Sequence, residues 1–279
     1  MAKKKKIAAA VTTCALLGAL ALGGTMAYLT DSEKQTNEFT FGTVQVDLVE
    51  AKFADTSSTD IDASTNVAKY KTALVPYATA PKDPKVVNTG TESAVIFLKV
   101  EIPNYEITPV GNDGVPAAKA NTDIYQMQFS DGTALKLTGE SNWDGKTGSE
   151  KNWIVLSSST QNNKTTYVFG YSSAVAGANG STYSSTDTLF DKIQFVNMTD
   201  ESYKLVTVDN KGTAKDINVY AYGIQSTGLD NVDNTISGTT YNKSQLNNIW
   251  TAYNNNTTTT APEANTSGKY KLNGTDMVD

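Results

Sequence analysis

Residues 92–103, ESAVIFLKVEIP, decide the fold. Ile96, Leu98, Val100 and Ile102 share one parity, Lys99 and Glu101 take the other, and Pro103 closes the run. A period of two over large and β-branched side chains is the signature of a strand with one buried face. Burial of four such side chains stabilises by about 1.5–3 kcal/mol each, so this strand is expected at the centre of a sheet. Just upstream, Asn88-Thr89-Gly90 reads as a tight turn pairing it with a strand in DPKVVN, residues 83–88.

The same texture recurs along the chain. In FTFGTVQVDLVEA, Phe39 and Phe41 lie on one parity and Val44, Val46 and Leu48 on the other, a phase change that a bulge at Gly42 would explain, so residues 38–50 read as one bulged strand. Further strands are expected in NWIVLSS, KTTYVFGYS, TLFDKIQFVNMT, YKLVTVDN and KDINVYAYGIQ. The last opposes Ile217, Val219 and Ala221 to Asn218, Tyr220 and Tyr222. One helix fits NKSQLNNIWTAY, where Leu246, Ile249, Trp250 and Tyr253 fall at helical spacing. Long Ser/Thr/Asn/Asp/Gly-rich pieces at 51–66, 104–123, 137–150 and 172–187 read as loops decorating a single core. The expected fold is all-β: a jelly-roll-like antiparallel β-sandwich with long loop insertions and one or two short helices. Residues 39–253 form that domain, and 254–279 read as an exposed tail with little to bury.

Composition removes whole classes of chemistry. The 279-residue chain has 23 basic residues, all lysine, against 29 acidic ones, and no histidine. Phosphate recognition needs clustered Lys and Arg, so nucleic-acid partners are excluded. Without histidine there is no Ser/His/Asp triad and no H-E-x-x-H zinc site. The single cysteine is Cys14, in the middle of an apolar run, leaving no disulfide framework beyond it. The motif DNVDN at 230–234 lacks the spacing and closing Glu of an EF-hand loop and reads as a turn. No cofactor or metal is expected.

The amino terminus reads as an export signal. Lys3, Lys4, Lys5 and Lys6 precede an apolar run from Ile7 to about Leu22, followed by small residues, and the expected cut lies between Ala27 and Tyr28. A retained membrane span is the alternative, since residues 7–27 are long enough to cross a bilayer. The run is rich in Ala, Gly and Thr, however, and no basic stop-transfer cluster follows it. Removing residues 1–27 leaves 19 lysines against 29 acids, a balance of −10. No wall-sorting motif or terminal apolar segment is present at the carboxyl end.

GGTMAYLTDSEKQTNEFTFGTVQVDL, residues 23–48, resembles the amino-terminal signature of the TasA/camelysin family of secreted Gram-positive matrix proteins. The matching features are Gly23-Gly24-Thr25, Ala27, the aromatic Tyr28, Asp31, the Phe39-Thr40 pair and Gly42 before an alternating strand. VVNTGTESAVIFLKVEI and INVYAYGIQSTG are similar to the family's central and closing strands. LVPYATAPKD stands where family members commonly carry Pro-Gly-Asp before the second strand.

The resemblance implies a jelly-roll subunit, exported through a SipW-type signal peptidase, that polymerises head to tail into biofilm matrix fibres outside a Gram-positive cell. Residues 28–38 would be given to the sheet of a neighbour, with Tyr28, Leu29, Thr30, Asp31, Phe39, Phe41 and Gly42 as the polymerisation segment. The bland alternative is a spacer, or a first strand folding back on its own sandwich. Self-association is the expected partnership, with other matrix proteins or polysaccharide as further partners and the membrane touched only through the uncleaved signal. Two other classes compete. One is a cell-surface adhesin or carbohydrate-binding sandwich, with Trp143 and Trp153 as stacking residues. The other is a camelysin-like metalloprotease, against which the missing histidine argues.

Overall fold

The computed structural model describes residues 43–50, 59–62, 67–70, 75–137, 152–209, 216–256, 271–272 and 275–276. Its strands in chain order are β1 (Val46–Val49), β2 (Thr59–Asp62), β3 (Val67–Tyr70), β4 (Thr79–Pro81), β5 (Lys85–Asn88), β6 (Ala94–Ile107), β7 (Ala120–Asp123), β8 (Tyr125–Gln128), β9 (Trp153–Gln161), β10 (Lys164–Tyr171), β11 (Ser184–Ser185), β12 (Lys192–Phe195), β13 (Asn218–Gln225), β14 (Lys271–Leu272) and β15 (Thr275–Asp276). Among the described residues two α-helices join them, α1 (Asp200–Lys204) and α2 (Lys243–Asn256).

Two antiparallel layers face each other. The first runs β13-β6-β10-β9, with β7 added at the far end of the long β6. The second is built from two three-stranded sheets, β1-β5-β11 and β4-β12-β8, which run on from one another along β4/β5 and β11/β12. Ser184 stands opposite Asn88 and Lys192 opposite Pro81, registers that differ by a single residue. Bonds from Thr186 N–H to Val86 O, Leu189 N–H to Pro84 O and Lys82 N–H to Asp191 O carry the ladder across the interruption. Counting β4/β5 and β11/β12 as one strand each, and leaving aside the short additions β2, β3, β7, β14 and β15, the second strand pairs the seventh, the seventh the fourth, and the third both the sixth and the eighth. That nesting is the interleaved Greek-key pattern of a jelly roll.

β6 has two buried faces at its start. Ile96, Leu98, Val100 and Ile102 enter the core between the sheets together with Phe169 and Trp153. Val95 and Phe97 point the other way and are covered by α2 through Leu246, Ile249 and Trp250. Leu246 sits so close that a Cβ on Gly170 of β10 would lie 3.1 Å from it. Only Lys99 and Glu101 reach the uncovered half of that outer face, so the charge pattern read in the sequence marks where the helix ends its cover. A third cluster, Tyr105, Ile107, Ile124, Phe195, Met198 and Val206, closes one end.

Three sequence expectations are corrected here. Asn88-Thr89-Gly90 is not a hairpin turn, because β5 and β6 belong to opposite sheets and the turn carries the chain across the sandwich. Pro103 does not end β6, which continues to Ile107. It marks a change of partner, from β10, where Pro103 stands opposite Lys164, to β7. Residues 203–210 do not begin as a strand: Thr199 caps α1 by accepting from Ser202 N–H, Asp200 and Glu201 occupy the first turn, and a π-helical turn follows over Leu205–Asp209. The bulky, β-branched run 205–208 reads as a strand, yet in the helical turns it buries Val206 beside Phe195 and Met198. Helix α2 runs over Lys243–Asn256, and β14 pairs β15 further on.

Two tyrosines of β10 fasten crossing loops. The Tyr167 hydroxyl donates to Asp123 at 2.6 Å, and Asp123 also accepts from Asn104 and Thr165. Four residues on, the Tyr171 hydroxyl donates to Asp187 at 2.6 Å, beside the Asn152 amide. Burial pushes the Tyr171 hydroxyl up to about 12, and the Asp187 carboxylate acting as acceptor adds to this. A tyrosine whose folded value lies above its unfolded value of about 10 contributes fully below pH 10 and loses that contribution as pH rises toward 12. Urea midpoints are therefore expected to hold up to about pH 10 and fall between 10 and 12, less steeply in Tyr171→Phe. An equally steep fall in that variant would remove Tyr171 as a cause.

Candidate functional site

The side of the sandwich formed by β1 and β13 combines an edge unpaired among the described residues with incompletely covered apolar side chains. β1 is an outer strand of one sheet and β13 of the other, and they pack face to face. The approach is so close that a Cβ at Gly223 would lie 2.7 Å from Val46 Cγ1 and 2.9 Å from Val44 Cγ1. In an eight-stranded jelly roll the first strand closes against the eighth. Here β1 pairs only β5, with the backbone of β14 beside it, so no strand among the described residues pairs with the outer edge of β13. Along that rim Val46, Leu48, Ile217, Val219 and Ala221 pack against the core yet remain half-buried.

β1 is held at both ends. At its start, Thr89 and Gly90 N–H both donate to Gln45 O, and Glu92 N–H donates to Thr43 O. Gly90 lies so near that an added Cβ would fall 2.2 Å from Thr43 O. Asn88, fully buried, organises this crossing by donating to Glu92 O and Val175 O and accepting from Gly90 N–H. Gly177 passes over the same turn, where a Cβ would meet Thr91 O at 2.2 Å. At the other end Glu50 forms a buried ion pair with Lys82, at 2.8 and 3.0 Å.

The outer face of the β13-β6 sheet carries a second polar group. Glu101 accepts from Asn218 at 3.2 Å and faces Lys99 and Lys164 at 3.4 and 3.5 Å. Partial burial alone would raise the Glu101 carboxyl, but the Asn218 amide and the two ammonium groups outweigh it and hold it below its ordinary range.

Of the residues singled out from sequence, Ala27, Tyr28, Leu29, Thr30, Asp31, Phe39, Phe41, Gly42 and Trp143 lie outside the described residues. Trp153 is a correction: it is a core residue, 1% exposed, its ring edge-on to Tyr171 and its indole N–H donating to Asp187 O. A buried ring has no face to offer a ligand. Sequence inspection missed the rim, because its half-covered side chains share the alternation of ordinary inner-face residues. The only signal was Gly223, a glycine inside an otherwise regular strand, which marks close backbone approach. DNVDN is a turn: a single 3-10 turn spans Leu229–Asn231, and Asp233 accepts from the Thr235 N–H and hydroxyl.

Fold and rim together define a jelly-roll-like β-sandwich whose eighth strand has an outer edge that no strand among the described residues pairs. Residues 2–62 match the family model described as Camelysin metallo-endopeptidase, in agreement with the TasA/camelysin resemblance of the amino-terminal junction. No curated protein and no solved structure matches the chain. A metallo-endopeptidase needs side chains that hold a divalent ion, most often histidine. This chain has none, and its cysteine is Cys14. Among the described residues no group of three or more acidic side chains converges to hold a metal. The described residues do not fit a catalytic zinc centre.

Proposed function

We propose that this chain is a secreted, non-enzymatic structural subunit that assembles head to tail into extracellular matrix fibres of a Gram-positive bacterium. The observation that carries the reading is the edge of β13, unpaired among the described residues, beside the half-buried row Ile217, Val219 and Ala221. An extended segment added there gains main-chain hydrogen bonds while its alternate side chains finish covering the row. The donated segment is residues 28–38, freed when a SipW-type peptidase cuts after Ala27. Each subunit then gives at one place and receives at another, a heterologous contact that need not close and so extends into a filament. Other matrix proteins or polysaccharide would meet the finished fibre.

The test is electron microscopy of the purified chain beginning at Tyr28, beside the same chain lacking residues 28–38. Fibres are expected from the first and none from the second at equal concentration. A synthetic peptide of residues 28–41 should cap growth of the longer chain. Equal fibre yield from both would overturn donation. Loss of fibres without any effect of the peptide would favour a segment that folds back on its own sandwich. Chelator-sensitive cleavage of casein would overturn the non-enzymatic reading.

A further inference from the structure

The outer face of the β13-β6 sheet meets the carboxyl-terminal end of α2 in a strip of aromatic rings that ends in fixed charges. Trp250 and Tyr253 stack with centroids 5.6 Å apart and planes at 25°. Tyr222 meets both edge-on, at 5.1 Å from Trp250 and 5.9 Å from Tyr253. Two residues back along β13, Tyr220 continues the strip with Lys99 Nζ 4.1 Å from its ring centroid. Beyond it stand Glu101, Asn218 and Lys164, with the Tyr220 hydroxyl 3.4 Å from the Glu101 carboxylate.

A helix lying on a sheet rises about 10 Å above it, so the end of α2 forms a step. Trp250 and Tyr253 stand on the step, while Tyr220, Lys99 and Glu101 form the adjoining floor. Trp250, Tyr253 and Tyr220 are all only half-buried. Neither the Trp250 indole N–H nor the Tyr222 hydroxyl has a hydrogen-bond partner among the described residues.

We propose that this step binds a neutral polysaccharide, a chain of equatorially linked pyranose rings. Such rings present flat C–H faces that suit tyrosine and tryptophan, and vicinal hydroxyls that suit a carboxylate, an amide and an ammonium held in fixed positions. A protein partner fits less well, because the centre of a protein interface is depleted of Lys and Glu whereas here they continue the aromatic strip. The site is independent of the β13 edge, since it uses the outer face of the strand rather than its rim.

Isothermal titration of the purified chain with cellohexaose and with chitohexaose tests this. Binding of at least one hexasaccharide is expected, together with a change in tryptophan emission that is absent in Trp250→Phe. Tyr220→Ser, Tyr253→Ala and Glu101→Gln are each expected to weaken binding by about tenfold, the loss of one stacking contact or one charged hydrogen bond. Should one variant fail to fold by circular dichroism, the other two still decide. No binding of either sugar up to about 10 mM, weaker than any useful recognition, would overturn the proposal. So would undiminished binding in the folded variants. Fibre formation is read separately, so the failure of one proposal leaves the other standing.

Discussion

Gly90→Ala is expected to lower the melting temperature by about 6–12 °C, a loss of about 3 kcal/mol in a domain of this size. The added methyl would lie 2.2 Å from Thr43 O and 2.4 Å from Gln45 N, and both are backbone atoms that cannot swing aside. The start of β1 must move, and with it go the bonds from Thr89, Gly90 and Glu92 N–H to Gln45 and Thr43, each worth about 1 kcal/mol net. Amide hydrogen exchange should consequently speed up at residues 45–49 before it does in β6 or β10. Gly111→Ala is the control. Its methyl meets Asp113 Oδ1 at 2.7 Å, the end of a side chain that can turn away, and its cost should stay within about 0.5 kcal/mol. If both substitutions melt alike, the contact at Gly90 is not what seats β1.

The same glycine shows how much of the molecule could be read from its sequence. Local alternation placed β6, β9, β10 and β13 and the inner face of β6, because side-chain period is a property of a few consecutive residues. Of the strand read over 38–50 only Val46–Val49 is a strand among the described residues, and the outer faces of β6 and β13, read as solvent-facing, are partly covered by α2. Asn88-Thr89-Gly90 looked like a hairpin for that very reason: turn chemistry is local, whereas the choice between pairing in one sheet and crossing to the other depends on Gln45 and Val175, which lie far away in sequence. Helix α1 was missed because the bulky, β-branched run 205–208 outweighed the Thr199-Asp200-Glu201 start signal. The aromatic step was hidden differently. Tyr220, Tyr222, Trp250 and Tyr253 were each noticed within their own elements, but only the packing of α2 on β13 brings them together. Trp153 drew attention as an aromatic, yet only its position against Tyr171 and Asp187 shows it to be core.

Lys82→Met alone is expected to cost about 3–5 kcal/mol, because it leaves the Glu50 carboxylate buried without its counter-charge. The double variant Glu50→Leu with Lys82→Met should recover most of that loss, since two apolar side chains of similar volume avoid the desolvation that the ion pair must offset. Urea unfolding of the two single variants and the double closes the cycle, with a coupling of about 2–3 kcal/mol between sites. Additive costs would mean that the pair contributes only packing. The bridge ties the end of β1 to the bend that separates β4 from β5, as the Gly90 crossing ties its beginning. Between these two anchors Val44 and Val46 press on Gly223 and position β13. Loss of the bridge should therefore weaken the β13 rim before it unfolds the sandwich. In the fibre assay, Lys82→Met is expected to reduce assembly at temperatures where its β10 amides are still protected, and the double variant to restore it. Unchanged assembly by a partly destabilised Lys82→Met chain would show that the receiving edge does not depend on β1.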